Sequence, residues 1–441
     1  MPLASWRAAM LCAFLTPMGW AQAQAPDAAA LEPRIAAVQD KMVNWRRDIH
    51  QHPELSGQEV RTSRLVAEHL RKLGLSVRTG VGGQGVVAVL RGGLPGKVVA
   101  LRADMDALPV AEATGLPFAS QTRAPYLGQE SPVMHACGHD GHTAILLGVA
   151  EVLAGVKAQI PGTVKFIFQP AEEGVPEEPA SAKATQWGAK AMVAQGALDN
   201  PKVDAVFGLH ISPNLPLGMV GYRSGPMMAG ADTVHITIAG KQTHGAAPWS
   251  GVDPIVVSAQ VIVGLQTIVS RQLNISSEPV VLTIAAIHGG NRENIVPDSV
   301  EMLGTLRSFD EEMRAEAKQR ITTTAEMIAA ASGAKASVRF GPSAYRVTVN
   351  EPDLTEAMLP SLQRATGGKA MLIPKISASE DFSEFQKVVP GFFYILGAPP
   401  KGKNYAEAAT NHSPAFDFDE DAMPLGALTL SMLALDYLSG R

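Results

Sequence analysis

From Leu31 to Gln51 apolar residues recur at three- and four-residue steps. Ile35, Val38, Met42, Trp45 and Ile49 fall on one face, which predicts an amphipathic helix. A second helix is expected from about Glu59 to Leu73, ending at Gly74. Strand-like runs follow at Ser76–Arg78, Gly85–Arg91 and Lys97–Arg102, and the last leads directly into Asp104 and Asp106. Thr163–Phe168 leads in the same way to Glu172 and Glu173, and Val203–Phe207 to His210. Between them Cys137 and His139 precede a helix expected from about His142 to Ala154. Ligands of open α/β sheets sit beyond the carboxyl ends of the strands. Four segments therefore deliver acidic, thiol or imidazole groups to one edge of one sheet.

Near Gly221 the pattern changes. Asp232–Ala239 alternates apolar and polar residues, as a strand with one solvated face does. A helix over Asp253–Arg271, strands Val280–Ile287 and Ser299–Ser308, a helix Glu311–Ala331 and a strand Ala336–Phe340 complete the order βαββαβ, the ferredoxin-like unit. Site-type residues resume after it, at Glu380, Asp381 and His412, so this unit reads as an insertion. A helix over Leu354–Thr366, a strand Phe392–Leu396 and a final helix Glu420–Leu438 close the larger domain. The expected organisation is α/β in two domains: residues 31–221 and 343–441 form the larger, and 222–342 the inserted one.

A net charge of −5 and a pI near 6.1 provide no basic field for nucleic acid. Arg7, the uncharged apolar run Ala8–Trp20 and the small residues of Ala21-Gln22-Ala23 have the layout of a secretory signal peptide spanning residues 1–23. The expectation is a protein exported to a periplasm or the medium and free of the membrane once processed. Of two cysteines, Cys12 leaves with that peptide. Cys137 then stands alone in an oxidising compartment, where a bound metal would mask it.

Cys137 and His139 are two positions apart and can point at one ion; thiolate with imidazole suits zinc or a late first-row metal. His135, Asp140 and His142 cannot all be ligands in so short a segment, and one or two of them are expected to fix an imidazole tautomer. Glu172 and Glu173 would project in opposite directions on an extended chain, one toward metal and the other toward substrate as a base. With His210 and His412 there are five potential ligands, enough for two metals sharing a bridging group.

The ordered motifs Arg102-Ala-Asp-Met-Asp-Ala-Leu-Pro109, Met134-His-Ala-Cys-Gly-His-Asp-Gly-His142, Gln169-Pro-Ala-Glu-Glu-Gly174, Gly208-Leu-His210, Thr243-His-Gly-Ala-Ala-Pro248, Gly289-Gly-Asn-Arg-Glu-Asn-Ile-Val-Pro297, Ser379-Glu-Asp-Phe382 and Asn411-His-Ser-Pro414 resemble the M20 metallopeptidase family. Within it the sequence is similar to the amidohydrolase branch of hippurate hydrolases, N-acyl-amino-acid deacylases and auxin-conjugate hydrolases. The resemblance implies a mixed-sheet α/β metallohydrolase domain carrying an inserted lid and dimerisation domain, hence a homodimer or higher homo-oligomer. It implies two divalent ions (zinc, manganese, cobalt or nickel) on Cys137, His139, Glu173, His210 and His412, with Glu172 as general base. His244 would stabilise the oxyanion, reaching into a partner subunit's site, and Asn294 and Arg307 would grip a substrate carboxylate. The peptidase branches carry His-x-Asp where Asp104 and Asp106 stand, so these aspartates are expected to support the ligands from behind, as is Glu380. The implied reaction is hydrolysis of N-acyl amino acids. The rivals are a carboxypeptidase or dipeptidase on the same scaffold, and a non-catalytic metal- or amino-acid-binding protein, against which the retained Glu172 argues. The loop Val175–Gln186 is longer than the family pattern leads one to expect and bears on substrate size.

Overall fold

The computed structural model describes residues 25–175, 186–341 and 344–441. The signal-peptide reading and most of the Val175–Gln186 loop lie outside them.

Eight strands form the large sheet, in the order Ser76–Val81, Gly85–Arg91, Pro161–Gln169, Leu94–Asp104, Ala205–Ser212, Gly391–Gly397, Val220–Tyr222, Ala370–Leu372. The four from Pro161–Gln169 to Gly391–Gly397 are mutually parallel, so their carboxyl ends open on one edge. Strand Gly85–Arg91 runs antiparallel beside them, and the sheet is mixed.

Side chains alternate between the two faces of a strand, and here both faces are covered. Leu101, Phe166, Phe207 and Tyr394 point into one apolar layer, packed by helices Ala28–Gln51, His139–Gly155 and Met423–Ser439. Ala100, Ile167, Val206 and Phe393 point into a second layer on the other face. Two-sided burial explains why these strands read as continuous apolar runs.

The helix expected from His142 begins at His139, because Gly138 takes a left-handed φ of 94° and turns the chain into it one residue after Cys137. A hairpin at Arg123–Tyr126 and Gln129–Pro132 escaped the sequence reading, since strands of four residues carrying proline show no periodicity.

The inserted domain has the expected ferredoxin-like order, Val280–His288, Ser299–Ser308, Gly230–Ala239, Lys335–Phe340, all antiparallel. Helices Pro254–Thr267 and Glu311–Ala331 pack against it. The strand Val220–Tyr222 stays in the large sheet and Gly225–Met228 pairs with Thr348–Asn350, so the inserted body begins near Gly230 rather than at 222. Its two connections meet side by side, where Ala231 and Tyr345 exchange backbone hydrogen bonds.

Among the described residues two helices are long and apolar enough to cross a membrane, Pro254–Gln272 and Glu420–Ser439. The latter is a core helix of the large domain, 78% buried. The former buries Val257, Val261, Leu265 and Ile268 on the inserted sheet and leaves Ile255, Val256 and Val263 exposed.

A buried polar network ties the first helix to the site. The Arg46 guanidinium, 1% exposed, reaches Asp140 at 2.9 Å and both Asp417 and Glu420 at 3.1 Å, and it lies over the rings of Phe118 and Phe418. His50 donates to Asp140 at 2.9 Å and to Glu112 at 3.1 Å. Burial opposes charging this ring, but its two carboxylate partners outweigh it and push the pKa up to about 9. A folded-state pKa above the unfolded value means stability present in full below about pH 6.5 and lost as pH rises through about 9. His50→Gln should therefore lower the melting temperature most at pH 6, by an amount on the order of 3 kcal/mol of stability, with the gap to wild type narrowing by pH 9.5. An equal gap at both pH values would contradict this.

Candidate metal centre

Adjacent parallel strands bring the candidate residues to one sheet edge. Leu94–Asp104 carries Arg102 and Asp104 with Asp106 just beyond, Pro161–Gln169 leads to Glu172 and Glu173, and Ala205–Ser212 holds His210. His412 arrives from the C-terminal part. Its backbone N–H donates to Ala136 O at 2.7 Å, while the Asn411 side chain donates to Cys137 O at 3.0 Å and Ile211 O at 3.3 Å.

The five expected ligands converge. Donor atoms of Cys137, His139 and His210 lie within 4.8 Å of one another, and so do those of Cys137, Glu173 and His412. Cys137 belongs to both groups, so its thiolate would be available to an ion held by either. Its Sγ is 3.4 Å from His210 Nε2, and His139 Nε2 is 3.9 Å from Glu173 Oε1.

The tautomers are set from behind. His139 Nδ1–H donates to the backbone oxygen of Asp106 at 2.9 Å and lies 3.2 Å from its carboxylate; His210 Nδ1–H donates to Ile211 O at 2.8 Å. Each ring thus turns Nε2 toward the shared space. His139 Nε2 is buried there with no hydrogen-bond partner, and Glu173 Oε1 lies 3.0 Å from His412 Nε2, itself one of the five expected ligands. Burying an atom such as His139 Nε2 unpaired costs roughly 1–3 kcal/mol, and a divalent cation that accepts imidazole, carboxylate and thiolate satisfies it. The residues present fit a metal. The field agrees: burial opposes a charged His139, yet Asp104, Asp106 and Cys137 raise its pKa well above the usual value. Cys137 and Glu173 likewise push His412 up to about 10.

Glu172 and Glu173 do not lie on an extended chain with opposed side chains. They sit in a tight turn after Ala171, whose φ of 53° is left-handed, and both carboxylates face the same space as His139. Three contacts hold this turn. Glu59 accepts from Ala171 N–H at 2.8 Å, Asp106 accepts from Glu173 N–H at 3.0 Å, and the Tyr345 hydroxyl donates to Glu172 O at 2.9 Å. Burial, then Glu380, Glu173 and Asp381, raise the Glu172 pKa well above the carboxylate range, so this group is suited to accepting a proton.

Beneath the site the wholly buried Arg102 donates to Asp104 at 2.6 Å, Glu380 at 2.8 Å, Asp381 at 3.2 Å and Gln169 at 2.8 Å. Asp104 supports the site indirectly, accepting from His142 Nδ1–H at 2.6 Å. His142 Nε2 accepts from Ile211 N–H at 2.8 Å, so both its nitrogens are occupied and it braces the His210 strand. Asp140 serves the Arg46 network instead, and His135 is buried with neither ring nitrogen partnered.

Sequence reading had no means of singling out Glu59 or Tyr345, which act on residues 112 and 173 positions away, and no spacing rule spans those distances. Arg102 stands in a quoted motif two residues before Asp104, but its contacts with Gln169, Glu380 and Asp381 are remote in the chain and could not be read from it.

Cys137, Glu172, Glu173, His210, Tyr345, Glu380 and His412 line a cavity of about 400 Å³ that also includes Arg307, which donates to Ser379, and the apolar side chains of Met228, Ile376 and Ile395. Asn294 and His244 are elsewhere. They are exposed on the inserted domain, His244 in the strand pair Thr243–His244 with Ile295–Val296 and Asn294 just before Ile295, its backbone oxygen accepting from Gly245 N–H at 2.8 Å, and both lie outside this cavity wall.

Residues 100–436 match the model of peptidase family M20/M25/M40, and the chain belongs to that family. It is 41% identical to Thermostable carboxypeptidase 2 of Saccharolobus solfataricus, over 91% of this chain and 97% of that one. It is 37% identical to the N-acetylcysteine deacetylase of Bacillus subtilis, over 91% and 98%. A crystal structure of a dinuclear metal-binding peptidase of the M20 family from Bacillus subtilis superimposes with a TM-score of 0.74 at 34% identity, covering 92% of this chain and all of that one. The protein is a metal-dependent amide hydrolase.

Proposed function

We propose that this enzyme cleaves N-acyl amino acids of the hippurate or N-acetyl type to a carboxylic acid and a free amino acid. The observation that carries the reading is one cavity lined by three kinds of group: four of the five clustered donors, with His139 buried just behind them, the Glu172 carboxylate, and Arg307.

Cys137, His139, Glu173, His210 and His412 would hold two divalent ions of zinc, manganese, cobalt or nickel. When bound, such ions polarise a carbonyl and lower the pKa of a water. Arg307 holds the carboxylate of the amino-acid half by a charge-assisted hydrogen bond. Glu172 takes the proton of the attacking water on its carboxylate and passes it to the leaving nitrogen. Asp106 keeps the His139 ring in register and Asp104, through His142, braces the His210 strand, while Arg102 carries the charge of Glu380 and Asp381 next to the base. Export rests on the leader-like sequence at residues 1–23.

A carboxypeptidase reading is favoured by the 41% identical relative, and it uses the same Arg307 grip. Release rates from hippurate and N-acetyl amino acids, measured beside dipeptides and blocked peptides, separate the two. Faster turnover of the peptides would replace the acyl-amino-acid reading with the peptidase one.

The position of His244 and Asn294 supports a homodimer in which each chain completes the other's site. They stand exposed outside this chain's own cavity, on a domain that also exposes Ile255, Val256 and Val263 on its helix and Val281 and Ile287 on its edge strand. Mixing inactive His244→Ala with inactive Glu172→Gln should restore about a quarter of wild-type activity on statistical exchange of subunits. No recovery after proven exchange would place His244 outside the partner's site.

A further inference from the structure

The Glu172–Glu173 turn is anchored from two bodies. Glu59 and Asp106 hold its N–H groups from the large domain. The third anchor, Tyr345, lies on the chain returning from the inserted domain, where its own N–H and C=O pair with those of Ala231 on the outgoing connection. Its hydroxyl donates to the backbone oxygen of Glu172 at 2.9 Å, and its ring packs on Trp187 with 5.6 Å between centroids. The turn needs such anchoring, because Ala171 holds a left-handed φ that a non-glycine residue adopts only when its surroundings enforce it.

We propose that Tyr345 is a positioning residue, whose hydroxyl fixes the Glu172–Glu173 turn and ties the orientation of the catalytic carboxylate to the junction between the two domains. Tyr345 also lines the cavity, but the proposed role does not run through a substrate contact. It acts through the main chain of Glu172, so the direction of that carboxylate follows the relative placement of the inserted domain. This rests on the reading of Glu172 as the base.

Tyr345→Phe tests it, since the ring, the Trp187 contact and the backbone pairing with Ala231 all remain and only the hydroxyl is lost. The expected result is a kcat lower by about five- to tenfold, with KM within about twofold and a melting temperature close to wild type. A second readout needs no turnover. Manganese titrated into metal-stripped protein should bind the variant several-fold more weakly, because Glu173 belongs to the same turn. Unchanged kcat overturns the assignment whatever the melting temperature does, and a lower melting temperature with kcat and manganese affinity both intact marks a merely structural role. Should wild type hydrolyse neither N-acyl amino acids nor peptides, the hydrolase reading fails on its own, and weaker manganese binding by the variant would still show that Tyr345 holds the turn.

Discussion

Glu172→Gln should abolish turnover while the protein keeps its full complement of metal. The amide matches the carboxylate in shape and remains able to accept from Asp381 N–H, which lies 3.4 Å from Glu172 Oε1, so the fold has no reason to change. What it loses is basicity. A general base contributes about 10²- to 10⁴-fold to rate, and here the same carboxylate is asked both to take the water's proton and to deliver it to the leaving nitrogen, so kcat should fall toward the upper end of that range. KM should move little, because the proposed grip on the substrate lies with Arg307 and not with Glu172. Steady-state kinetics on a hippurate-like substrate, with metal counted by mass spectrometry on the same sample, checks both parts. Retained activity, or loss of metal along with activity, would transfer the role of base to another group or make Glu172 a ligand.

The second large effect belongs to Cys137. It is shared by the two donor groups, one completed by His139 and His210 and the other by Glu173 and His412. Cys137→Ala should therefore deplete both ions together and remove activity, whereas His412→Ala, which touches one group, should leave about one ion per chain. Unequal loss of this kind is what a donor common to both groups predicts. If Cys137→Ala still binds about two ions, the shared role is wrong and each group holds its metal through its other members. Restoring a hard donor with Cys137→Asp should recover part of the metal, since a carboxylate can also bridge.

Much of this arrangement was legible before any coordinates. Strands buried on both faces announce themselves as apolar runs, and polar residues at their carboxyl ends mark where a site belongs, which located Asp104, Glu173 and His210. The βαββαβ order was readable for the same reason: alternation and helical spacing are local. The sequence could not show that the two glutamates share a turn, because that depends on a left-handed Ala171 enforced by Glu59 and Asp106, both far away in the chain. His142 illustrates the limit most sharply. It stands in the same motif as the candidate ligands Cys137 and His139, and only its contacts with Asp104 and Ile211 show that both its nitrogens are spent. The resemblance assigns His244 to the oxyanion and Asn294 and Arg307 to the substrate carboxylate, yet of the three only Arg307 lines this chain's cavity.

The central claim is that the five converging donors hold the ions with which Glu172 and Arg307 hydrolyse an acyl–amino-acid bond. Its most direct measurement is amino-acid release from hippurate and N-acetyl amino acids by protein stripped of metal, then titrated with zinc, manganese, cobalt or nickel. The account predicts no release from the stripped protein and activity that climbs with added ion to a plateau near two equivalents per chain. Release unaffected by stripping, or full metal occupancy with no release from any acyl or peptide substrate, would contradict it.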